Sequence, residues 1–346
     1  MKPSRVGPWV VGEELGRGEF SSVYKGHLES DAATVWALKI SPLVSPQTDK
    51  KRKETKEQTS CRLLYWENEV YRNYASNHAL FPVRPLRHGL VDSDGFRLLA
   101  LELAPGGTLK DKIRLMGRVS PQTTASVGLR LLSGLEKFHL ESWFVYKDIK
   151  PENIMLNDRG VVLVDFGLAQ RFVDPRREHF AAGGESVGTP LFMSRGVHLQ
   201  LPPSRRDDLE SVGYLLWWML LGGELPWQHQ KSERDILLSK QTCQPPIELA
   251  GYFEHVLALT VEDVPNYALL GLGLKKLGGI AHGEIDWKAS PTVVAPAPPA
   301  VMTPPTVVET EEEEAAEKPS KKRLRKSLSP LRPTRTQPPR RVKRQG

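Results

Sequence analysis

The chain has 346 residues and a formal net charge of +7 at pH 7. Residues 1–287 carry 35 basic and 35 acidic side chains, whereas residues 288–346 carry 13 and 6, so the whole excess of positive charge lies in the last segment. The 2 cysteines are far apart, which favours a reducing compartment over a disulfide framework. The first residues lack the apolar run of a signal peptide. The most apolar stretch, 212–223, is too short to span a bilayer and predicts a buried helix.

Residues 9–40 predict two strands joined by a turn that contains Gly16 and Gly18. Ser21 stands where a third glycine would complete the pattern G-x-G-x-x-G. A dinucleotide-binding fold requires such glycines to open a helix, but the β-branched and aromatic residues that follow favour a strand, and the chain has no Walker-type G-K-S/T. By itself the turn is equally compatible with an ordinary hairpin.

Lys39 ends a predicted apolar strand, and a lysine in such a setting needs an anionic partner. A phosphate of ATP and a carboxylate are both candidates. Residues 45–60 predict a solvated loop, and helical periodicity begins at Cys61. Glu67 lies within the apolar stripe of this helix, which makes it the candidate partner of Lys39. The alternative is that Glu67 borders the stripe and faces water.

Farther along, residues 96–102 predict a strand that ends at Glu102 before a Pro-Gly-Gly turn. The segment Y-K-D-I-K-P-E-N at 146–153 places Asp148 and Asn153 five residues apart. The strand-like G-V-V-L-V at 160–164 is followed by D-F-G at 165–167. The glycine turn, the strand lysine, the Asp/Lys/Asn loop and D-F-G occur in an order that makes a chance coincidence very improbable.

Over residues 9–287 this ordered set resembles the eukaryotic-type Ser/Thr protein kinases. The run S-R-R-D-D-L-E-S-V-G-Y at 204–214, the later L-P-W at 225–227, and V-E-D-V-P-N-Y-A-L-L at 261–270 are similar to the casein kinase I group, including its vaccinia-related branch. Tyr146 and Lys147 depart from the H-R-D pattern of kinases. Tyr146 stands in place of a histidine that makes a structural contact, and Lys147 keeps the charge of the missing arginine but not its planar, two-pronged guanidinium group. Neither replaces a reacting group.

The resemblance implies an α+β, bilobal fold with a strand-rich small lobe over about 9–104 and a helical large lobe over about 105–287. It implies that Asp148 accepts the proton of the substrate hydroxyl, that Lys150 stabilises the transferring group, and that Asn153 and Asp165 hold Mg²⁺. Asp208 would brace the catalytic-loop backbone, and Arg205 and Arg206 would be structural. The implied ATP site comprises Leu15, Gly16, Gly18, Ser21, Val23, Ala37, Lys39, Glu67, Glu102 and Ala104.

The expected activity is transfer of the γ-phosphoryl group of ATP to Ser or Thr hydroxyls of protein substrates, by a monomer with no membrane partner. Two alternatives remain open. A pseudokinase scaffold is compatible with the departures at Ser21, Tyr146 and Lys147, and a small-molecule kinase of related fold also carries an Asp-to-Asn loop. Between Phe166 and Thr189 the only hydroxyl residue is Ser186, which predicts an enzyme that needs no phosphorylation in this segment.

Residues 288–346 combine Pro-rich runs, an acidic run and two basic clusters, at 321–326 and 340–344. This composition predicts a disordered tail, because it offers too little apolar surface to offset chain ordering. The basic clusters favour binding of a nuclear import receptor or, second, of nucleic acid, and hence a nuclear or cytoplasmic location. No aromatic residue interleaves the clusters as a base-stacking surface would require, which ranks nuclear import first.

Overall fold

In the computed structural model the described residues are 2–18, 20–48, 52–72, 85–157, 160–174, 176, 178–180 and 187–289. The chain divides into two units, 1–294 and 295–346, and every described residue belongs to the first. Of the predicted tail only Lys288 and Ala289 are described, so both basic clusters lie outside these residues. Ser186 lies outside them as well.

The N-terminal part is a six-stranded antiparallel sheet with one helix. Its strands pair in the order β1-β2-β3-β4-β6-β5, and Trp9, Tyr24, Leu38 and Leu98 form the core on one face. The bounds are β1 Arg5–Val6, β2 Trp9–Arg17, β3 Ser22–Leu28, β4 Asp31–Pro42, α1 Lys56–Val70, β5 Pro85–Ser93 and β6 Phe96–Glu102. The hairpin predicted around Gly16 and Gly18 is present as β2 and β3.

Helix α1 begins earlier than the sequence predicts, and part of the predicted 45–60 loop is helical. Thr55 accepts a hydrogen bond from the backbone N–H of Gln58, and the Gln58 side chain bonds back to the Thr55 N–H. This capping box satisfies two of the free donors at the helix start, so the polar residues 56–60 form its first turn. The prediction of a loop up to residue 60 was wrong because it followed charge and overlooked the cap.

The C-terminal part is mostly helical and is organised around α5, in which every residue except Arg206 is buried. The predicted buried helix at 212–223 therefore corresponds to the second half of α5. The bounds are α2 Leu109–Met116, α3 Pro121–Lys137, β7 Phe144–Val145, β8 Ile154–Asn157, β9 Gly160–Leu163, β10 Gln170–Arg171, α4 Arg195–His198, α5 Arg205–Leu220, α6 Glu233–Thr242, α7 Ala250–Ala258 and α8 Tyr267–Lys276. Over the part of the chain that the structure describes, none of the helices combines the length and apolarity of a membrane span.

The predicted Pro-Gly-Gly turn after β6 packs directly on β8. The Gly106 N–H donates to the Leu156 carbonyl at 3.0 Å, and the Leu156 N–H donates to the Gly107 carbonyl at 2.9 Å. A Cβ at Gly106 would lie 2.6 Å from the Leu156 oxygen, so a larger residue does not fit without a shift of the backbone. This close approach sets the end of the small-lobe sheet beside the strands that follow the Asp148 loop.

Candidate active site

Lys39 lies between two carboxylates. Its Nζ is 2.6 Å from Glu67 Oε2 on α1 and 2.8 Å from Asp165 Oδ1 in the D-F-G segment. The side chains of β4 alternate, so Leu38 and Ile40 enter the sheet core while Lys39 projects from the opposite face. The contact predicted between Lys39 and Glu67 is present, and Glu67 is only 1% exposed. The alternative, in which Glu67 faces water, was wrong.

The charges of this trio are strongly coupled. Burial raises the pKa of Glu67 to about 7, although the Lys39 ammonium opposes the rise. For Asp165 burial also acts to raise the pKa, but Lys39 outweighs it and the pKa lies below its usual value. Burial acts to lower the pKa of Lys39, and the two carboxylates reverse this and raise it. Lys39 and Asp165 are therefore charged at neutral pH, while Glu67 is the partner whose charge depends on pH.

Asp148 is the centre of a second cluster. Its Oδ2 accepts hydrogen bonds from Lys150 Nζ at 2.6 Å and from Asn153 Nδ2 at 2.9 Å. Its Oδ1 accepts one from Thr189 Oγ1 at 3.1 Å. The three loop residues predicted from sequence are thus brought together. Nothing in the local sequence predicts the contribution of Thr189, because it lies 41 residues from Asp148 along the chain.

Asp208 on α5 binds the backbone of the two residues before Asp148. The N–H groups of Tyr146 and Lys147 donate to the two Asp208 oxygens at 2.6 and 2.8 Å. His139 Nε2 contacts the same carboxylate at 2.8 Å. The contact predicted for Asp208 is therefore present, and His139 is a partner that sequence reasoning missed. Lys147 adopts a left-handed φ of 73°, which is uncommon for a residue with a side chain and is held here by these bonds.

Arg205 and Arg206, at the start of the same helix, were expected to be structural. Arg205 is 3% exposed, lies over the Phe172 ring and donates to the Glu262 carbonyl at 3.0 Å. Arg206 donates to the Leu259 carbonyl at 3.1 Å. Both guanidinium groups thus join the start of α5 to the segment between α7 and α8, away from the Asp148 cluster.

Tyr146, which replaces the expected His, joins the loop to the D-F-G strand. Its hydroxyl donates to the Val164 carbonyl, and its ring packs edge-on against Phe166 at 5.2 Å between centroids. Phe166 also packs against Tyr71 and Phe138, at 5.0 and 5.5 Å. Trp66 on α1 donates its ring N–H to the Ala169 carbonyl at 2.7 Å. These contacts hold α1, the Asp148 loop and the D-F-G segment in one packed arrangement.

The residues expected to surround ATP occupy the glycine turn, the facing strand and the end of β6. The Gly18 N–H donates to the Ser21 carbonyl at 2.9 Å, which closes the turn. A Cβ at Gly16 would meet nothing within 4 Å, so this glycine borders open space. In the sheet register Val23 lies opposite Lys39, and Ala37 lies opposite Leu101. Leu15 is 43% exposed, Glu102 is exposed and Ala104 is half-buried.

The donor set around Asp165 suits Mg²⁺. Asp165 is ionised and its side chain is 43% exposed, while Asn153 donates an amide N–H to Asp148 and also carries an amide oxygen. Within the described ranges no group of three His, Cys, Asp or Glu side chains is arranged to hold a metal. One carboxylate and one amide oxygen match Mg²⁺, which is commonly held by one or two protein ligands together with substrate phosphates.

Comparisons with known proteins agree with this geometry. The family model described as "Protein kinase domain" matches residues 9–256. Casein kinase I homolog 2 of Saccharomyces cerevisiae is 27% identical over 306 residues, which cover 81% of this chain and 52% of the relative. Casein kinase I homolog 3 of Schizosaccharomyces pombe is 30% identical over 219 residues, which cover 56% of this chain and 49% of the relative. The chain therefore spans about half the length of the curated relatives it matches.

Among solved structures, the fold resembles that of vaccinia related kinase 3. The match has a TM-score of 0.63 and 24% identity, and it covers 78% of this chain and 86% of the other. This likeness confirms the bilobal kinase fold, and the named relatives agree with the resemblance to the casein kinase I group. Because the family model matches well over half of its length, the chain belongs to the protein kinase domain family.

Proposed function

We propose that the chain is a Mg²⁺-dependent Ser/Thr protein kinase that transfers the γ-phosphoryl group of ATP to hydroxyl groups of protein substrates. The observation that carries the proposal is the cluster in which Asp148 contacts Lys150, Asn153 and Thr189. Phosphoryl transfer asks little covalent chemistry of a protein, so the positions of charged groups around the reacting oxygens carry most of the catalysis.

Each residue then has a distinct role. Asp148 accepts the proton of the attacking hydroxyl, and Lys150, 2.6 Å from it, neutralises charge on the transferring group. Lys39 binds the α- and β-phosphates and is kept in place by Glu67. Asn153 and Asp165 would hold Mg²⁺, which supplies charge neutralisation on the phosphate oxygens when bound. Lysine two residues after the base is the choice typical of Ser/Thr-specific enzymes in this family.

The cleft and the end of the small-lobe sheet provide the place for the nucleotide. Leu15, Val23 and Ala37 offer apolar surface for the adenine, and the backbones of Glu102 and Ala104 offer its hydrogen bonds. The glycine turn at Gly16 and Gly18, with Ser21, has open space beside Gly16, where phosphate oxygens could approach the backbone.

The pseudokinase alternative is disfavoured because the residues assigned to nucleotide, metal and proton are all present, and because Tyr146 restores a contact to the D-F-G strand. A small-molecule kinase is disfavoured by the match to the protein kinase domain over residues 9–256. The test is phosphotransfer from radiolabelled ATP to a randomised Ser/Thr peptide library and, in parallel, to small alcohols. We expect label on peptides alone and none with Asp148→Asn, which excludes a contaminating kinase. Label on small alcohols alone, or none anywhere while ATP still binds, would contradict the proposal.

For the tail we propose binding of a nuclear import receptor through the basic clusters at 321–326 and 340–344. What supports this is the sequence, since these clusters carry the positive charge of the chain without interleaved aromatic residues. Fused to an inert cytoplasmic reporter, residues 288–346 should move it into the nucleus, and a reporter that stays in the cytoplasm would contradict the proposal. If nucleic acid is the partner instead, binding affinity should fall steeply with salt.

A further inference from the structure

Lys240 on α6 is a buried cation whose donors all meet an acceptor. It is 6% exposed, and its Nζ lies 2.6 Å from the Pro190 carbonyl, 2.6 Å from the Met193 carbonyl and 3.1 Å from His198 Nε2. An ammonium group has three N–H donors, so this geometry uses its full capacity. The same nitrogen lies 4.9 Å from the centre of the Tyr214 ring and 5.6 Å from that of Trp227, within range of cation–π attraction.

The two carbonyls belong to residues 189–193, which we term the acceptor segment. It begins at Thr189, whose hydroxyl donates to Asp148, and the carbonyls of four of its residues accept hydrogen bonds. The N–H groups of Phe192 and Met193 donate to the Thr189 carbonyl, and Trp227 Nε1 donates to the Leu191 carbonyl at 2.8 Å. Lys240 binds the other two of these four carbonyls, those of Pro190 and Met193, so α6 helps to hold the segment in place.

Keeping a cation at this place has a cost. Burial lowers the pKa of Lys240 to about 7, against the opposing attraction of Glu210 on α5 and Glu233 on α6. His198 on α4 contacts the ammonium directly, and its own pKa is lowered by burial and by Lys240. A buried methionine of similar length would avoid the desolvation cost, so an ammonium here is best explained by the carbonyls that it binds.

We propose that Lys240 is a positioning residue for the peptide substrate, which acts by fixing the acceptor segment beside Asp148. The inference rests on the proposed function. A substrate hydroxyl must approach Asp148, and Thr189 already touches that carboxylate, so the residues that flank the hydroxyl pass along the backbone that follows Thr189. Without Lys240 the carbonyls of Pro190 and Met193 lose their charged partner, and the segment loses its fixed position.

The test compares Lys240→Met with Lys231→Met, the same exchange at an exposed position just before α6. The probe is the best substrate peptide from the randomised library. In Lys240→Met we expect the KM for peptide to rise by about tenfold or more, from the loss of hydrogen bonds to a charged group, while the KM for ATP stays within about twofold. Lys231→Met should change neither constant. An unchanged peptide KM, or a loss of kcat alone as in a partly unfolded enzyme, would overturn the inference.

Trp227→Phe provides a second route if Lys240→Met does not fold. It keeps an aromatic ring in the core, removes the donor to the Leu191 carbonyl and shortens the ring that packs against Tyr214 and Trp217. We expect the peptide KM to rise, by less than in Lys240→Met, and a folded Trp227→Phe with the wild-type peptide KM would overturn the inference. A wild-type chain that labels no peptide would remove the proposed function together with this inference. If the wild type phosphorylates the peptide and neither variant changes the peptide KM, the proposed function stands and only the inference about Lys240 is overturned.

Discussion

The two charged clusters of the cleft are held together in different ways. In the first, Lys39 lies between Glu67 and Asp165, so its ion pairs join three segments that are distant along the chain. In the second, Asp148 is bound mainly by residues of its own loop, and Asp208 holds the loop through backbone N–H groups. The first cluster therefore depends on charge balance in a buried setting, whereas the second depends on loop geometry. Substitutions in the first cluster should therefore lower the free energy of unfolding most, and substitutions in the second should lower the rate of phosphotransfer most.

The largest effect is expected at Asp148. Asp148→Asn removes the base but keeps an oxygen and the size of the side chain, so we expect phosphotransfer to fall by about 10²- to 10⁴-fold while ATP still binds. The thermal midpoint should change little. Single-turnover phosphotransfer and nucleotide binding measure the two quantities, and Asp286→Asn, at an exposed position, serves as the control. Full activity in Asp148→Asn would show that another group accepts the proton.

Unlike Asp148→Asn, Lys39→Met should destabilise the folded protein strongly. It leaves Glu67 and Asp165 facing each other without their cation, so we expect the free energy of unfolding to fall by about 3–5 kcal/mol, together with weaker ATP binding. Chemical denaturation measures the loss. Lys25→Met on the neighbouring strand removes only an exposed ion pair with Glu13 and should leave the denaturation midpoint unchanged. If Asp148→Asn destabilised the protein more than Lys39→Met, the contrast between the clusters would be wrong.

The pH dependence should separate the clusters further. The folded pKa of Glu67 is about 7 and its ordinary value is 4.5, so the carboxylate loses its charge as pH falls through 7. We expect kcat/KM for ATP to decrease as pH drops from 8 to 6. In Glu67→Gln, kcat/KM should be lower than in the wild type and should no longer depend on pH over this range. The free energy of unfolding should change in the opposite direction and rise as pH falls. Glu67 binds its proton more tightly in the folded than in the unfolded state, so its contribution to stability is present at low pH and is lost as pH rises from 4.5 through 7. An identical pH profile in Glu67→Gln would assign the limb to another group.

A smaller effect is expected for Tyr146→Phe. The variant keeps the packing against Phe166 and removes the bond to the Val164 carbonyl, which contributes about 1 kcal/mol. For a domain of this size we expect a thermal midpoint about 2–4 °C lower, with kcat reduced only slightly. Because Asp208 still holds the backbone of residue 146, the loop should keep its shape. A loss of activity as large as that of Asp148→Asn would show that the loop depends on Tyr146 rather than on Asp208.

The smallest effect is expected from dephosphorylation. Lys147 stands where kinases with the H-R-D pattern carry an arginine that can bind a phosphate through two N–H groups. Here its Nζ donates to the uncharged side chain of Gln170, with 2.9 Å to Oε1, so no phosphate is needed to give it a partner. Phosphatase-treated enzyme should keep its phosphotransfer rate, and Ser186→Ala should keep the same rate before and after treatment. A large loss on phosphatase treatment that Ser186→Ala reproduces would contradict the prediction.

Much of the site follows from local spacing. Asp148, Lys150 and Asn153 lie within six residues, so their meeting requires only a tight loop. Glu67 could be identified as the partner of Lys39 because helical periodicity alone places it on the apolar face of α1. The first turn of α1 is a local feature as well, but its signal was the Thr55 and Gln58 cap rather than hydrophobic periodicity.

The long-range contacts differ in this respect. The bonds from Thr189 to Asp148 and from Tyr146 to Asp208 join residues 41 and 62 positions apart, and those from Lys240 to the acceptor segment join residues 50 and 47 apart. The resemblance to kinases implied the contact of Asp208. The contacts of Thr189 and Lys240 depend on how α6 and the loops pack together, and no periodicity or local motif encodes that packing. The sequence by itself determined the candidate catalytic residues and their order, because these depend on residue type and short spacing. Only the tertiary structure decided that His139, Thr189 and Lys240 also hold this region in place, because burial and the meeting of separate elements arise when the chain is folded.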